Sequence, residues 1–288
     1  MNFNLLGKTN LKVSEIGIGT EHLFSQSMNT VKSVVQCALE NKINYFDVLF
    51  SVQHYLIKLA CAFKGYRDQL IITGHIGTTE FEGRVKRNRS VKESKKAFLR
   101  ILSILQTNYV DILNIQYVTA KEYDKVINPG GLFELATSFK EDGKARFLSL
   151  STHDILVATQ AIKSGNFDMI MFPINLANHG LKCREELLKL CLKSKIGLVA
   201  IKPFAGGKLL DKNRTIYFAK HQTGGLTFKK KIPSDITPSH CINYVNSIPE
   251  VSLVLIGVKN IYEINENLSY LTIKACEMDY SSYIRIFQ

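Results

Sequence analysis

The sequence predicts a parallel α/β barrel of eight strand–helix units with an N-terminal β-hairpin, and three observations carry that prediction. Short apolar, β-branched runs alternate with amphipathic stretches along the whole chain, the pattern of a parallel sheet covered by helices. Eight such runs fit within 288 residues, which is the arithmetic of a (β/α)8 TIM barrel. No G-x-G-x-x-G follows any of them, Gly17-Ile18-Gly19 being only a fragment of one. The doubly wound alternative therefore lacks its glycine fingerprint.

Taken in order, Phe3–Leu6, the turn Gly7-Lys8-Thr9-Asn10 and Leu11–Val13 read as a hairpin plugging one mouth of the barrel. Strands are expected at Glu15–Gly19, Ile43–Asp47, Leu70–His75, Val110–Gln116, Ala145–Ser151, Met169–Asn175, Gly197–Pro203 and Val251–Gly257. Amphipathic helices are expected at Thr30–Asn41, Ser90–Leu105, Leu132–Asp142, Asp154–Ser164, Arg184–Ser194 and Ile261–Leu271. Ser90 is suited to cap the helix that it opens, and Gly143 to stop the one before it. A further helix is expected to begin near Tyr55, with Lys58 a turn deeper and facing solvent. Two segments, Gly77–Arg89 and Asp211–Ser234, are long, polar and irregular, and read as loops on the active face.

A hydrophobic content of 45% over 288 residues supports one core and a single domain spanning residues 1–288. The first residues contain no apolar h-region, and no window reaches the ~18–20 apolar residues that a spanning helix needs. A cytoplasmic protein without membrane association is the expectation. The six cysteines, Cys37, Cys61, Cys183, Cys191, Cys241 and Cys276, form no C-x-x-C pair. They read as buried free thiols, with no metal site expected. The formal net charge of +12 includes two local clusters, Arg84, Lys86, Arg87, Arg89 and Lys229-Lys230-Lys231. No nucleic-acid motif accompanies them, so solvated loops are preferred to nucleic acid, with a small molecule as the partner, an anionic one being compatible with this charge.

A barrel carries its chemistry at the C-terminal ends of its strands. Polar and ionisable residues gather there: Thr20, Glu21, His22, Asp47, His75, Gln116, Ser151, His153, Asn175 and Lys202, while the strand interiors are apolar. Asp47 and His75 end adjacent strands, so a carboxylate–imidazole pair suited to general acid–base work is expected between them. Gln116 can hydrogen-bond a substrate carbonyl but cannot titrate. His22, His153 and His179 also approach the mouth, at spacings that match no metal motif; His54, His221 and His240 read as surface or capping residues.

Several long stretches resemble the aldo/keto reductase family, in the order that the family has them. They are Leu6–Ser14, Ile43-Asn44-Tyr45-Phe46-Asp47, Gln106–Leu113, Gly143–Phe147 with Ser149-Leu150-Ser151, and Lys202-Pro203-Phe204-Ala205-Gly206-Gly207-Lys208-Leu209. The last is similar to a form found in the branch that often carries a ferredoxin-like tail, although here only Cys276 follows the last helix. The resemblance implies a barrel that transfers hydride between NADP or NAD and a small carbonyl or alcohol substrate. It also implies a catalytic set of Asp, Tyr, Lys and His, of which only Asp47 is kept. Val52 stands at the Tyr position, His75 at the Lys position and Gln116 at the His position. Tyr55, eight residues after Asp47, is the nearest tyrosine that a rearranged loop would bring to the site.

The same resemblance implies that Ser151 and Asn175 hold the nicotinamide amide, with Met171 in place of the usual Gln. Lys202 replaces a ring-stacking aromatic. Pro203, Phe204, Gly206, Gly207 and Leu209 belong to the pyrophosphate loop, Gly257 and Lys259 lie at the end of the last strand, and Asn267 contacts adenine. Glu263 stands where a basic residue usually meets a 2′-phosphate, which leaves NADP and NAD both open. Three functions are consistent with these residues: an NAD(P)-linked oxidoreductase with a rebuilt proton donor at Asp47–His75, a non-redox enzyme using the same pair, or a ligand- or partner-binding protein without catalysis. The oligomeric state is not legible.

Overall fold

A computed structural model describes residues 1–82, 84–272 and 280–287. Eight strands close into a parallel barrel: β1 (Ile16–Gly19), β2 (Tyr45–Val48), β3 (Ile71–Ile76), β4 (Val110–Ile115), β5 (Ala145–Ser151), β6 (Met169–Pro173), β7 (Gly197–Ile201) and β8 (Leu253–Gly257). Each strand pairs with its sequence neighbours, and β8 returns to β1 with Gly257 opposite Gly19. The outer helices are α1 (Met28–Glu40), α2 (Gln53–Phe63), α3 (Val91–Leu105), α4 (Leu132–Glu141), α5 (Ile155–Lys163), α6 (Arg184–Lys193), α7 (Pro238–Asn246) and α8 (Ile261–Leu268).

The expected ends hold in detail. Ser90 Oγ accepts from the Glu93 amide at 3.3 Å, and Gly143 follows α4 with φ +71°, the left-handed stop that glycine favours. The strands ending at Ile115, Pro173 and Ile201 stop one or two residues before the expected boundary, and the other five end on it or one residue beyond. The sequence reading lacks α7, which Thr237 caps and Pro238 opens, the helix-start signal of an N-cap threonine followed by proline.

Two cores follow from the period of two along each strand. Inward side chains Tyr45, Ile71, Ile112, Met169, Met171, Val199, Leu253 and Leu255 fill the barrel and meet Leu6, Leu11 and Val13 from the N-terminal hairpin. The plug is seated closely: the Lys8 amide donates to Lys195 O at 2.8 Å, and a Cβ at Gly7 would lie 2.2 Å from Gly197 N. Outward residues of the strands join the apolar faces of the helices in the larger outer core. With the lower barrel filled by side chains and plug, the inward polar residues are left in the layer nearest the opposite, C-terminal mouth.

Both segments read as irregular loops contain antiparallel hairpins. Thr78–Phe81 pairs with Arg84–Arg87 after β3, and Thr215–Phe218 pairs with Phe228–Lys231 after β7. In the second, Phe218 and Phe228 stack at 5.0 Å between ring centroids, so two aromatics dispersed in a polar stretch supply its packing. Lys58 also departs from expectation. Its ammonium donates to Phe24 O and Gln26 O, both at 2.7 Å, tying down the β1–α1 loop instead of facing water.

Cys37, Cys191 and Cys241 are buried as expected, whereas Cys61 is exposed and Cys183 partly so. Cys276 lies outside the described residues. Burial pushes the Cys191 and Cys241 thiols up to about 12, and thiolate is the reactive form. In native protein treated with iodoacetamide, peptide mass mapping is expected to find Cys61 modified while Cys191 and Cys241 remain free. Modification of Cys241 at a comparable rate would contradict the packing described for α7. Among the described residues no helix is long and apolar enough to cross a membrane.

Candidate active site

At the top of the barrel the inward side chains of β2, β3, β4 and β5 are hydrogen-bonded in one line. His75 Nε2 and Asp47 Oδ1 are 2.6 Å apart. Asn114 Nδ2 lies 3.0 Å from His75 Nδ1 and 3.0 Å from Ser151 Oγ. Since the amide nitrogen can only donate, His75 Nδ1 accepts, and the ring proton sits on Nε2, donated to Asp47. Asp47 and His75 are 4% and 3% exposed, so this is a desolvated pair, where a hydrogen bond to a charged group is stronger than in water. Ser151 Oγ also accepts from the Tyr117 amide at 2.8 Å, which leaves its own proton free to donate.

Asn114 is the member that sequence reasoning missed. Its signal was present: β4 keeps Ile112 and Asn114 in register with Thr73 and His75 of β3, so period-two alternation puts Asn114 on the same inward face. Gln116 lies one residue beyond β4. Its Oε1 accepts from Thr78 Oγ1 at 2.7 Å, so the side chain holds the post-β3 hairpin. Tyr55, on the first turn of α2, is fully buried. Its hydroxyl contacts Thr20 Oγ1 and accepts from the Leu49 amide at 3.2 Å, while Thr20 in turn donates to the Asp47 carbonyl at 2.6 Å. Tyr55 thus braces the backbone that carries Asp47, and burial is the main cause that raises its pKa.

The residues expected to hold a dinucleotide occupy the ends of β5 to β8. Asn175 is fully buried; its Nδ2 donates to Lys202 O at 3.0 Å and Gln222 O at 2.8 Å, while its Oδ1 is buried without a partner. A buried acceptor left open in this way suits a ligand amide. After Lys202, Pro203, Ala205 and Leu209 are buried anchors, whereas Gly206 and Gly207 are exposed with φ +69° and +85°. A Cβ at Gly207 would meet nothing within 4 Å, so backbone amides there are open to a phosphate. Phe204 is half-buried beside them. These features fit a nicotinamide dinucleotide.

The other expected positions are less direct. A Cβ on Gly257 would lie 2.6 Å from the His22 ring, so His22 rests on that glycine. Asn267 is buried on α8. Lys259 is exposed, and its amide donates to Glu263 Oε2 at 2.7 Å, which fixes a carboxylate at the head of α8. Among the described residues no set of three His, Cys, Asp or Glu could hold a metal ion.

Further residues stand around the mouth. Arg89 joins the loops after β3 and β4. Tyr117, His153 and His221 form a row of rings, with centroids 4.5 Å apart for the first pair and 6.4 Å for the second. His221, read from sequence as a surface or capping residue, is exposed and ends that row. His240 does cap α7, its Nδ1 lying 2.7 Å from Thr237 Oγ1.

A closed eight-stranded barrel with its polar residues at the C-terminal mouth defines the class, and comparison with known proteins defines the family. Residues 15–285 match the aldo/keto reductase family, and the chain belongs to it. It is 25% identical over 291 residues to the L-galactose dehydrogenase of Arabidopsis thaliana, covering 93% of this chain and 87% of that protein. Its fold is similar to that of the aldo-keto reductase AKR11C1 from Bacillus halodurans. The holo form superposes with a TM-score of 0.77 at 21% identity, covering 100% of this chain and 95% of that one. The apo form gives 0.71 at 20% identity with the same coverage.

Proposed function

We propose that this protein is an NAD(P)-linked oxidoreductase of a small carbonyl or alcohol, in which Asp47 and His75 together manage the substrate proton. The observation that carries the reading is the buried line Asp47–His75–Asn114–Ser151, centred where the family keeps its catalytic residues. The nicotinamide supplies the hydride donor or acceptor. The protein's own residues must then orient the substrate, exclude water and move one proton. Asp47 Oδ1 is engaged by His75, and Oδ2 makes no hydrogen bond among the described residues, so it is the atom available to a substrate hydroxyl. His75 stabilises the carboxylate from behind, and Asn114 fixes the tautomer that allows it.

Membership of the family supports a nicotinamide cofactor, and the relative named for dehydrogenation of L-galactose makes that sugar the first alcohol to test. Titration with NADH, NADPH, NAD⁺ and NADP⁺ by calorimetry is the direct experiment. Micromolar binding of one pair, with absorbance change on addition of a carbonyl or alcohol, is the expected result. Failure of all four at millimolar concentration would sink the redox reading and favour a non-redox or non-catalytic role for the same pair.

The preferred nucleotide follows from Glu263. Its carboxylate is held at the N-terminus of α8 by the Lys259 amide, where it repels a 2′-phosphate and suits a free ribose hydroxyl. NADH is expected to bind about tenfold or more tighter than NADPH, with Glu263→Lys narrowing or reversing the ratio. Equal affinities in the wild type would refute the argument.

A further inference from the structure

The basic residues outside the Asp47–His75 line are arranged about the mouth. The hairpins after β3 and β7 stand four strands apart in a closed eight-stranded barrel, so they face each other across it. The first carries Arg84, Lys86 and Arg87, and the second Lys229, Lys230 and Lys231. Between them runs a continuous row. The Arg87 guanidinium lies 4.3 Å from the Tyr117 ring centroid, Tyr117 packs on His153, and His153 faces His221. Lys202, at the end of β7, is close enough for its charge to act on both imidazoles.

Polar capacity in this row is open. His153 Nδ1 is buried without a hydrogen-bond partner, and Lys202 Nζ makes no hydrogen bond or ion pair among the described residues. Both groups are held away from their charged forms. Burial, then Lys202, His221 and Arg87, take the His153 pKa down to about 3, and burial lowers that of Lys202 while Glu21 opposes it. Of the acidic side chains near the row, Glu122 pairs with Arg87 and Arg89 and Asp47 with His75, while Glu21 is exposed and acts on Lys202 only through its charge, without an ion pair. Tyr117 and Lys202 also hold left-handed backbones, with φ +48° and +55°. Non-glycine residues adopt that region only where the surroundings impose it, and such sites cluster at ligand clamps.

We infer that Tyr117, His153, His221 and Lys202 form a seat for the anionic group, a carboxylate or phosphate, of the substrate that Asp47 and His75 act upon. A solvated polar rim accounts for exposed lysines on the hairpins. It does not account for an unpartnered buried imidazole nitrogen within range of the charge of an unpaired, partly buried ammonium. An anion there supplies the missing acceptor for Lys202 and favours protonation of His153, so binding takes up a proton and tightens as pH falls. The opposed basic hairpins raise the local concentration of anions and make association depend on ionic strength.

The inference rests on the oxidoreductase reading for the word substrate, but its test does not require turnover. Uniformly ¹⁵N-labelled protein is titrated with inorganic phosphate, malonate and uncharged glycerol slightly below neutral pH, and the ring signals of His153 are followed together with the backbone amides. Phosphate or malonate, or both, is expected to move those signals towards imidazolium, with glycerol silent; the stronger of the two identifies the anion. Lys202→Met and, separately, His153→Phe, which keeps the stack on Tyr117, are expected to weaken the anion by about tenfold, the loss of a charged hydrogen-bond partner.

A His153 signal unmoved at high phosphate and malonate, an equal response to glycerol, or unchanged affinity in a folded Lys202→Met protein would each overturn the inference. Backbone shifts confined to Gly206 and Gly207 would do the same, since they would assign the anion to the phosphate loop. If no nucleotide binds yet His153 responds, the oxidoreductase reading falls and the anion seat stands. If nucleotide binds and His153 is silent, the reverse holds.

Discussion

Asp47→Asn is expected to lower kcat by about 10²–10⁴-fold, the usual contribution of a positioned acid or base, while nucleotide affinity stays within about threefold. The substitution keeps the shape of the side chain and a contact to His75, but removes the oxygen that can take or give a substrate proton. His75→Ala is expected to cost a similar factor, because Asp47 would lose the Nε2–H that lies 2.6 Å from Oδ1. The double variant is expected to be about as slow as either single one, since groups that act as a unit are grossly non-additive.

Single-turnover absorbance at the nicotinamide band measures the step directly and separates it from nucleotide release. Tyr55→Phe is the informative control. It leaves Thr20 and the Leu49 amide without their partner and is expected to reduce stability by about 1–2 kcal/mol with little effect on the hydride step. If instead Tyr55→Phe abolished turnover while Asp47→Asn and His75→Ala left it intact, Tyr55 would be the proton donor and the proposed role of the pair would be wrong.

The barrel was legible because each unit repeats the same two periods, and errors of one or two residues at the ends do not alter eight parallel strands. The encounter of Asp47 with His75 was legible for the same reason, as both follow apolar runs that end on adjacent strands. Asn114 was missed because the resemblance drew attention to Gln116, two residues on, where the chain has already left β4. The inward parity of Ile112 and Asn114 was the physical signal. The hairpins at Thr78–Arg87 and Thr215–Lys231 were missed because neither has strict alternation of polar and apolar residues. Their order comes from tertiary partners instead: Arg89 and Gln116 in one case, the Phe218–Phe228 stack in the other. The ring row at the mouth joins positions 117, 153 and 221, and contacts at that separation leave no local trace.

Arg89→Ala is the second large effect, and it is expected in stability. The guanidinium is only 10% exposed. Its Nε donates to Glu122 Oε1 at 2.8 Å, and Nη2 contacts the same oxygen. Nη1 donates to Gly77 O at 3.1 Å and Gln116 O at 2.9 Å, and Nη2 also to Tyr117 O at 2.9 Å. One cation thereby joins the ends of β3 and β4, and Gly77, at φ +102°, is kept free of a Cβ that would lie 2.2 Å from Nη1.

Truncation leaves Gln116 O and Tyr117 O without their donor and removes one of the two cations on Glu122, while Gly77 O keeps the Asn88 amide at 3.0 Å; breaking a buried pair typically costs ~3–5 kcal/mol. The lower end is expected, because Arg87 still reaches Glu122 at 3.3 Å. Thermal unfolding should show a fall of several degrees. Arg89→Lys should recover only a minor part, as an ammonium cannot reproduce the planar fork that serves several acceptors at once. A double-mutant cycle with Glu122→Gln should give a coupling of about 1–3 kcal/mol. A melting temperature unchanged in Arg89→Ala would mean that the two loops are held by the Thr78–Gln116, Arg87–Glu122 and Arg87–Tyr117 contacts without Arg89. Tyr117 gives the effect a functional side, because its carbonyl is held by Arg89 and its amide by Ser151. Loosening that residue should therefore weaken the His153 response to anions in the same variant, linking the stability of the loop junction to what the mouth can bind.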